Sequence, residues 1–188
     1  MQRAVLGFGG YLAITSGACK RPRTPAAPDA GAAPPLESSG LRSLTAAQYM
    51  TLAAACERIL PRDQDPGATD LGCALYIDRA LAEPDAHALF GRALLGGLKA
   101  LDNQSLRRFQ GPFAEATAAQ QDQLLGEWQV SKHSGETAFF EVLHALTMEG
   151  AFGDPSHGGN KDGQGFAMVG FWPPPPTPGV PLTKLKGG

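Results

Sequence analysis

Between residues 147 and 172 the chain reads TMEGAFGDPSHGGNKDGQGFAMVGFW, a run that neither a helical nor a strand period accommodates. It holds Gly150, Gly153, Gly158, Gly159, Gly163, Gly165 and Gly170, set among Asp154, Asn160 and Asp162 and the apolar Phe152, Phe166, Met168, Val169, Phe171 and Trp172. Glycine reaches positive φ and lets backbones come close, while Asp and Asn side chains bond back to neighbouring amides. The composition therefore specifies a compact irregular loop. The aromatics set it apart from a flexible linker, which has no use for them.

Whatever folds must deliver this loop. Five of the 16 prolines fall in residues 22–35 and six in residues 173–181, which leaves residues 44–172 as the stretch able to bury a core. That is one domain of about 130 residues, of ordinary size. A formal net charge of −2 gives no electrostatic reason to expect nucleic acid.

The core stretch reads as helices. Thr45 and Gln48 form a capping box, and Tyr49, Leu52, Ala53, Cys56, Ile59 and Leu60 follow at helical spacing, predicting a first helix over residues 44–60, ended by Pro61. A second helix presents Cys73, Ile77, Ala80 and Leu81 and stops before Pro84. Asp85 is positioned to cap a third, carrying Leu89, Phe90, Ala93, Leu94, Leu98 and Leu101; Gly96 and Gly97 either kink it or admit another backbone. Thr117 and Gln120 repeat the capping box ahead of Leu124, Leu125 and Trp128, and a fifth helix over residues 136–149 places Phe139, Val142, Leu143 and Leu146 on one face. No alternating run competes with them. The fold class is all-α: a single compact domain of about five helices over residues 43–172, ending in the glycine-rich loop. Residues 20–42 read as a disordered Pro- and Ala-rich tether, and residues 173–188 as a Pro-rich tail.

The order Glu149, Gly150, Phe152, then Asp154, Pro155, Gly158, Gly159, Asn160, Asp162, Gly163, Gly165, then Gly170, Phe171 resembles the signature of the gluconate 2-dehydrogenase subunit 3 family, E-G-F/Y-F, D-P-x-Y-G-G-N-x-D-G-x-G-W, G-F/Y. His157 stands where that family has Tyr, and Phe166 where it has Trp. A second run is similar too, carried by Leu60, Pro61, Pro66, Gly67, Ala68, Tyr76, Ile77, Asp78 and Arg79. The resemblance implies a non-catalytic small subunit of an FAD-dependent dehydrogenase complex of the glucose-methanol-choline type. FAD is then expected in the partner catalytic subunit, which oxidises a sugar, sugar acid or alcohol, and haem in a multihaem cytochrome c that accepts the electrons. The small subunit supports assembly, export or stability, and no activity is expected of it alone. The alternative is a stand-alone exported helical lipoprotein or binding module without a dehydrogenase partner.

Residues 1–19 suit an export signal: Arg3, a mildly apolar Gly-rich stretch, then small residues before Cys19. Arg3, Ala4, Val5 and Leu6 are similar to the second half of the family's twin-arginine signal, with Gln2 in place of the first arginine. Ser16, Gly17, Ala18 and Cys19 are similar to a lipoprotein cleavage box, making Cys19 a lipidation candidate; the other reading gives it no role. The expected location is the periplasm or membrane surface of a bacterium, reached by a lipid anchor or through the complex. Cys56 and Cys73 then remain as an even pair, either bridged, worth about 3 kcal/mol in the chain-entropy model, or two small core residues. No sequence argument fixes their separation.

Glu149 meets the negative end of the fifth helix's dipole, so something should compensate it. It is expected to accept loop amides, with a partner contact or acid–base chemistry as alternatives. Asp154, His157, Asn160 and Asp162 match neither a calcium loop nor a zinc site. No cofactor, metal or haem-attachment pattern is expected in this chain, and without a G-x-S-x-G elbow His157, Gly158 and Gly159 do not make a hydrolase.

Overall fold

A computed structural model of the chain describes residues 40–171. Cys19, the export segment, most of the tether, Trp172 and the Pro-rich tail lie outside the described residues.

The described residues are helical, with no strand among them. The first helix, α1, is Ala46–Ile59. Its capping box is formed: the Thr45 hydroxyl accepts from the Gln48 amide, and the Gln48 side chain accepts from Thr45 N–H at 2.9 Å. Two of the amides that a helix start leaves unpaired are thereby satisfied. At the other end Leu60 N–H still donates to the Cys56 carbonyl (2.9 Å), but Pro61 has no N–H with which to continue. Glu57 holds the following loop, its carboxylate accepting the amides of Arg62 (3.0 Å) and Thr69 (2.9 Å) and the Thr69 hydroxyl (2.7 Å).

Next comes α2, Cys73–Ala80, entered through Gly72 at φ +75°. Cys73, Ala74, Ile77 and Asp78 are buried, whereas Ala80 and Leu81 lie at the edge of the core. A π-helical turn, His87–Gly91, runs directly into α3, Arg92–Phe109. The backbone carbonyl of Asp85, rather than its side chain, accepts from Ala88 and Leu89 at 3.1 Å each. Leu94, Leu98 and Leu101 are fully buried, but Leu89 is 78 % exposed. Leu89 precedes Leu94 by five residues and so falls off the line of i, i+4, i+7 that the other three share.

Helix α3 passes through Gly96 and Gly97 unbroken. Gly97 has a packing cause: a Cβ there would overlap the Phe139 ring. The close approach is thus made by a side chain and involves no kink. A 3₁₀ turn, Phe113–Glu115, drops Phe113 into the core, where its amide donates to Asp102 (3.0 Å) and its carbonyl accepts from Gln121 Nε2 (2.8 Å). Asp102 also accepts the Thr51 hydroxyl at 2.9 Å, linking α3 to α1.

Helix α4, Ala118–Gln129, begins with the second capping box, Thr117 and Gln120. Helix α5, Ser134–Phe152, extends beyond the predicted residues 136–149 at both ends. Trp128 of α4 meets Phe139 of α5 edge-on, ring centroids 5.4 Å apart at 83°, and its indole N–H donates to Gln104 (2.6 Å). Each fully buried Leu, Ile or Phe contributes about 1.5–3 kcal/mol. Helices α1, α2, α3 and α4 all pack on α5, which is the axis of the domain.

Cys56 and Cys73 are separate buried thiols, the core alternative rather than the bridge. Burial pushes each thiol up to about 12. The Thr147 hydroxyl donates to Cys56 Sγ at 3.3 Å.

Asp78 is the buried charge of α2, and it faces the incoming chain. Its carboxylate accepts the amides of Arg42 (2.7 Å), Ser43 (3.0 Å) and Leu44 (2.8 Å), so the chain is fastened just before α1 begins. Asp78→Asn puts an NH₂ group against amide donors and leaves a buried amide unmet, at a cost of about 2–4 kcal/mol. Urea unfolding should show that loss, and hydrogen exchange at residues 42–44 should quicken. Unchanged exchange there means that the three bonds do not hold the segment.

Candidate functional site

The last carbonyls of an α-helix have no partner within it. In α5 the glycine-rich segment supplies the donors by folding back. Gly153 N–H donates to the Glu149 carbonyl (2.7 Å) and Asn160 N–H to that of Gly150 (2.6 Å). The Asn160 side chain makes two further bonds: Nδ2 donates to Gly153 O and Oδ1 accepts from Gly165 N–H, both 2.8 Å. Its own carbonyl accepts from Gly163 N–H (2.9 Å), so every polar group of this fully buried residue is used. Asn160 lies at φ 44°, ψ 49°, a left-handed conformation that Asn tolerates better than other L residues.

The return is backbone on backbone. A Cβ at Gly159 would overlap the Gly150 carbonyl, and one at Gly165 the Ala151 carbonyl. Gly150 itself lies against α2, where a Cβ would stand 3.0 Å from Cys73 Cα. Lys161 N–H donates to the Leu71 carbonyl (3.1 Å), tying the segment to the lead-in of α2 as well. Phe152 packs on the edge of the core.

Between these anchors the segment is more regular than its composition suggests. Asp154 accepts from Ser156 N–H (2.8 Å) and starts a 3₁₀ turn, Pro155–His157, with Pro155 at its first position. The Ser156 amide holds the Asp154 carboxyl below its usual range. A second 3₁₀ turn, Lys161–Gly163, carries Asp162 at φ 58°. A short helix, α6, follows at Gln164–Met168 and ends in a Schellman motif. Phe171 N–H donates to Phe166 O (2.8 Å), Gly170 N–H to Ala167 O (3.1 Å), and Gly170 sits at φ +68°. The hydrophobic contact that accompanies this motif is the Phe166–Phe171 ring pair, centroids 5.4 Å apart. Phe166 is buried, while Phe171 and Val169 are 51 % and 63 % exposed.

The predicted site residues thus share one cap on the end of α5, but not all in the expected roles. Glu149 does not accept loop amides; its carboxylate accepts the Tyr76 phenol of α2 at 3.0 Å, and Asn160 makes the fold-back bonds instead. The ring of Phe166 packs as expected, but His157 is exposed. Asp154 caps a turn, Asn160 is buried, and His157 and Asp162 face solvent, so the four do not converge. Among the described residues no three His, Cys, Asp or Glu side chains form a group able to hold a metal ion. Tyr76 and Arg79 also belong to the cap, a place that local pattern does not give them; the Tyr76–Arg79 run is the one signal for it in the sequence. Arg79 lies along Gly158, where a Cβ would overlap its guanidinium.

Residues 46–174 match the family model described as gluconate 2-dehydrogenase subunit 3. No curated protein and no solved structure matches the chain.

Asn160→Ala removes both side-chain bonds and strains a left-handed position, so a loss of about 2–4 kcal/mol is expected. Asn160→Gly relieves the strain alone and should recover only part of it. Limited proteolysis within residues 153–170 should accelerate in both, and resistance equal to wild type would refute the role given to Asn160. Burial, then the bond and charge of Glu149, push the Tyr76 phenol from 10.0 to about 12. A raised folded pKa favours the protonated fold, so this contribution is whole below pH 10 and lost as pH rises from 10 through about 12. Tyr76→Phe should flatten that part of the alkaline stability curve; parallel curves for the two proteins would show that the phenol is not coupled to folding.

Proposed function

This chain belongs to the gluconate 2-dehydrogenase subunit 3 family, and from that premise we propose that it is the non-catalytic small subunit of an exported, FAD-dependent dehydrogenase complex of the glucose-methanol-choline type. A family of dehydrogenase accessory subunits implies a dehydrogenase catalytic subunit as partner. In this reading the partner holds FAD and oxidises a sugar, sugar acid or alcohol, and a multihaem cytochrome c takes the electrons. The small subunit supports assembly, export or stability of the catalytic one, at the periplasmic face of the membrane. Cys19, if acylated after export, supplies one anchor, and the complex itself supplies another.

One observation carries the reading. The residues that match the family pattern build a single cap tied to the end of α5 by backbone bonds and by the Asn160 side chain, and the cap leaves Val169 and Phe171 exposed at its end. Apolar and aromatic side chains on a rigid support make good interface anchors, because little conformational entropy remains to be lost on docking. Asp154 and Asn160 serve the local fold, and Glu149 serves the α2–α5 junction.

The test is purification of the tagged full-length chain from the envelope fraction of the producing bacterium. A large subunit with the absorption spectrum of bound flavin should co-purify in fixed proportion. Phe171→Ala should lower the flavin recovered by about tenfold, equivalent to about 1.4 kcal/mol at one anchor. Recovery of the chain without flavoprotein favours the stand-alone module, and turnover of a sugar or alcohol by the isolated chain with its own flavin rejects the reading altogether.

A further inference from the structure

Against the cap lies a guanidinium that no anion meets among the described residues. Arg79 sits on the outer side of α2, and its side chain lies flat along Gly158: a Cβ at that position would overlap Nη1 and stand 2.7 Å from Cζ and 2.9 Å from Cδ. Gly158 has φ +95°, so both the space and the backbone conformation there exclude other residues. Among the described residues two arginines are half-buried, Arg58 and Arg79. Arg58 is paired with Asp122 at 2.7 Å, as the exposed Arg62 is with Asp70 and Arg108 with Glu127. Among the described residues Arg79 has neither a carboxylate within 4.0 Å nor a hydrogen-bond acceptor, yet no buried side-chain nitrogen or oxygen lacks a partner. Its donors therefore open to solvent.

The neighbouring acids are engaged elsewhere. Glu149 accepts the Tyr76 phenol, and Asp154 accepts the Ser156 amide. A planar guanidinium packed along backbone and unpaired among the described residues can receive a carboxylate through two parallel N–H donors. We propose that Arg79 is the electrostatic anchor of the cap and receives an Asp or Glu side chain of the dehydrogenase catalytic subunit; this rests on the accessory-subunit reading above. Gly158 is then a glycine for the sake of Arg79, seating the guanidinium so that its donors face outward. The exposed Val169 and Phe171 of the same cap supply the apolar part of the contact and Arg79 the directional part.

The experiment uses the full-length chain with the flavoprotein it recovers from the envelope fraction. In Arg79→Gln the flavin recovered per small subunit should fall at least fivefold at moderate salt, with the melting temperature of the isolated chain unchanged. Arg79→Lys keeps the charge and offers a primary amine. Treatment of that complex with a water-soluble carbodiimide should form a zero-length amide between Lys at position 79 and one Asp or Glu of the flavin-binding subunit, located by peptide mass spectrometry. Undiminished flavin recovery in Arg79→Gln overturns the proposal, and so does a recovered Arg79→Lys complex with no cross-link from position 79. In both cases the accessory-subunit reading survives. If the wild-type chain recovers no flavoprotein, both fall together.

Discussion

Everything at the functional end of this protein depends on how the C-terminus of α5 meets its unpaired carbonyls. A long central helix that all the others pack against leaves its final turn between α2 and solvent, where water reaches one side only. The Gly150 carbonyl is met by the Asn160 amide at 2.6 Å, and Asn160 then spends its side chain on Gly153 and Gly165. One buried residue closes three gaps. Because the returning chain lies against helix backbone, Gly159 and Gly165 have no room for a Cβ. The glycines that look like flexibility in the sequence are the means of close packing here.

Much of the fold was legible because its signals are local. Both capping boxes place the N-cap residues, Thr45 and Thr117, correctly, although residue 44 is two positions early as the start of α1, and Pro61 marks where α1 stops. The i, i+4, i+7 spacing of Leu94, Leu98 and Leu101 gives the inner face of α3 correctly. What failed was what spacing does not encode. Leu89 belongs to the same apolar set, yet it lies off that line and is exposed. Gly97 reads as a break, but its cause is a Phe139 ring forty-two residues later in the chain. The cap was legible as a unit and misread in its parts. Glu149 drew attention as an uncompensated charge at a helix end, whereas its partner, Tyr76, lies seventy-three residues away and leaves no trace in local pattern. The Schellman motif at Gly170 had a local signature, a glycine flanked by Phe166 and Phe171, that composition alone concealed within a run of glycines.

Helix α2 joins these levels in eight residues. Its inner side contributes Cys73 and Ile77 to the core, and Asp78 turns toward the amides of residues 42–44 to fasten the incoming chain. Its outer side presents Tyr76 to Glu149 and lays Arg79 along Gly158. A short helix has little intrinsic stability, since nucleation is costly and few bonds follow it. Here tertiary contacts on both sides supply what propensity cannot. Loss of either side should therefore be felt on the other, and a disturbed core would misplace the surface that α2 and the cap share.

That coupling bears on what an accessory subunit requires. A surface that must recognise one partner gains from being formed beforehand, because ordering a loop on contact subtracts from the binding free energy. The cap meets this condition through its hydrogen bonds: Asn160 has no unused polar group, and the ring pair of Phe166 and Phe171 fixes the end of α6. An apolar anchor alone gives affinity with little direction, whereas a seated guanidinium requires a carboxylate at a defined place and angle. If one partner meets both Phe171 and Arg79, it must match both at once. Specificity then follows from geometry the chain settles in its own folding, before any partner arrives.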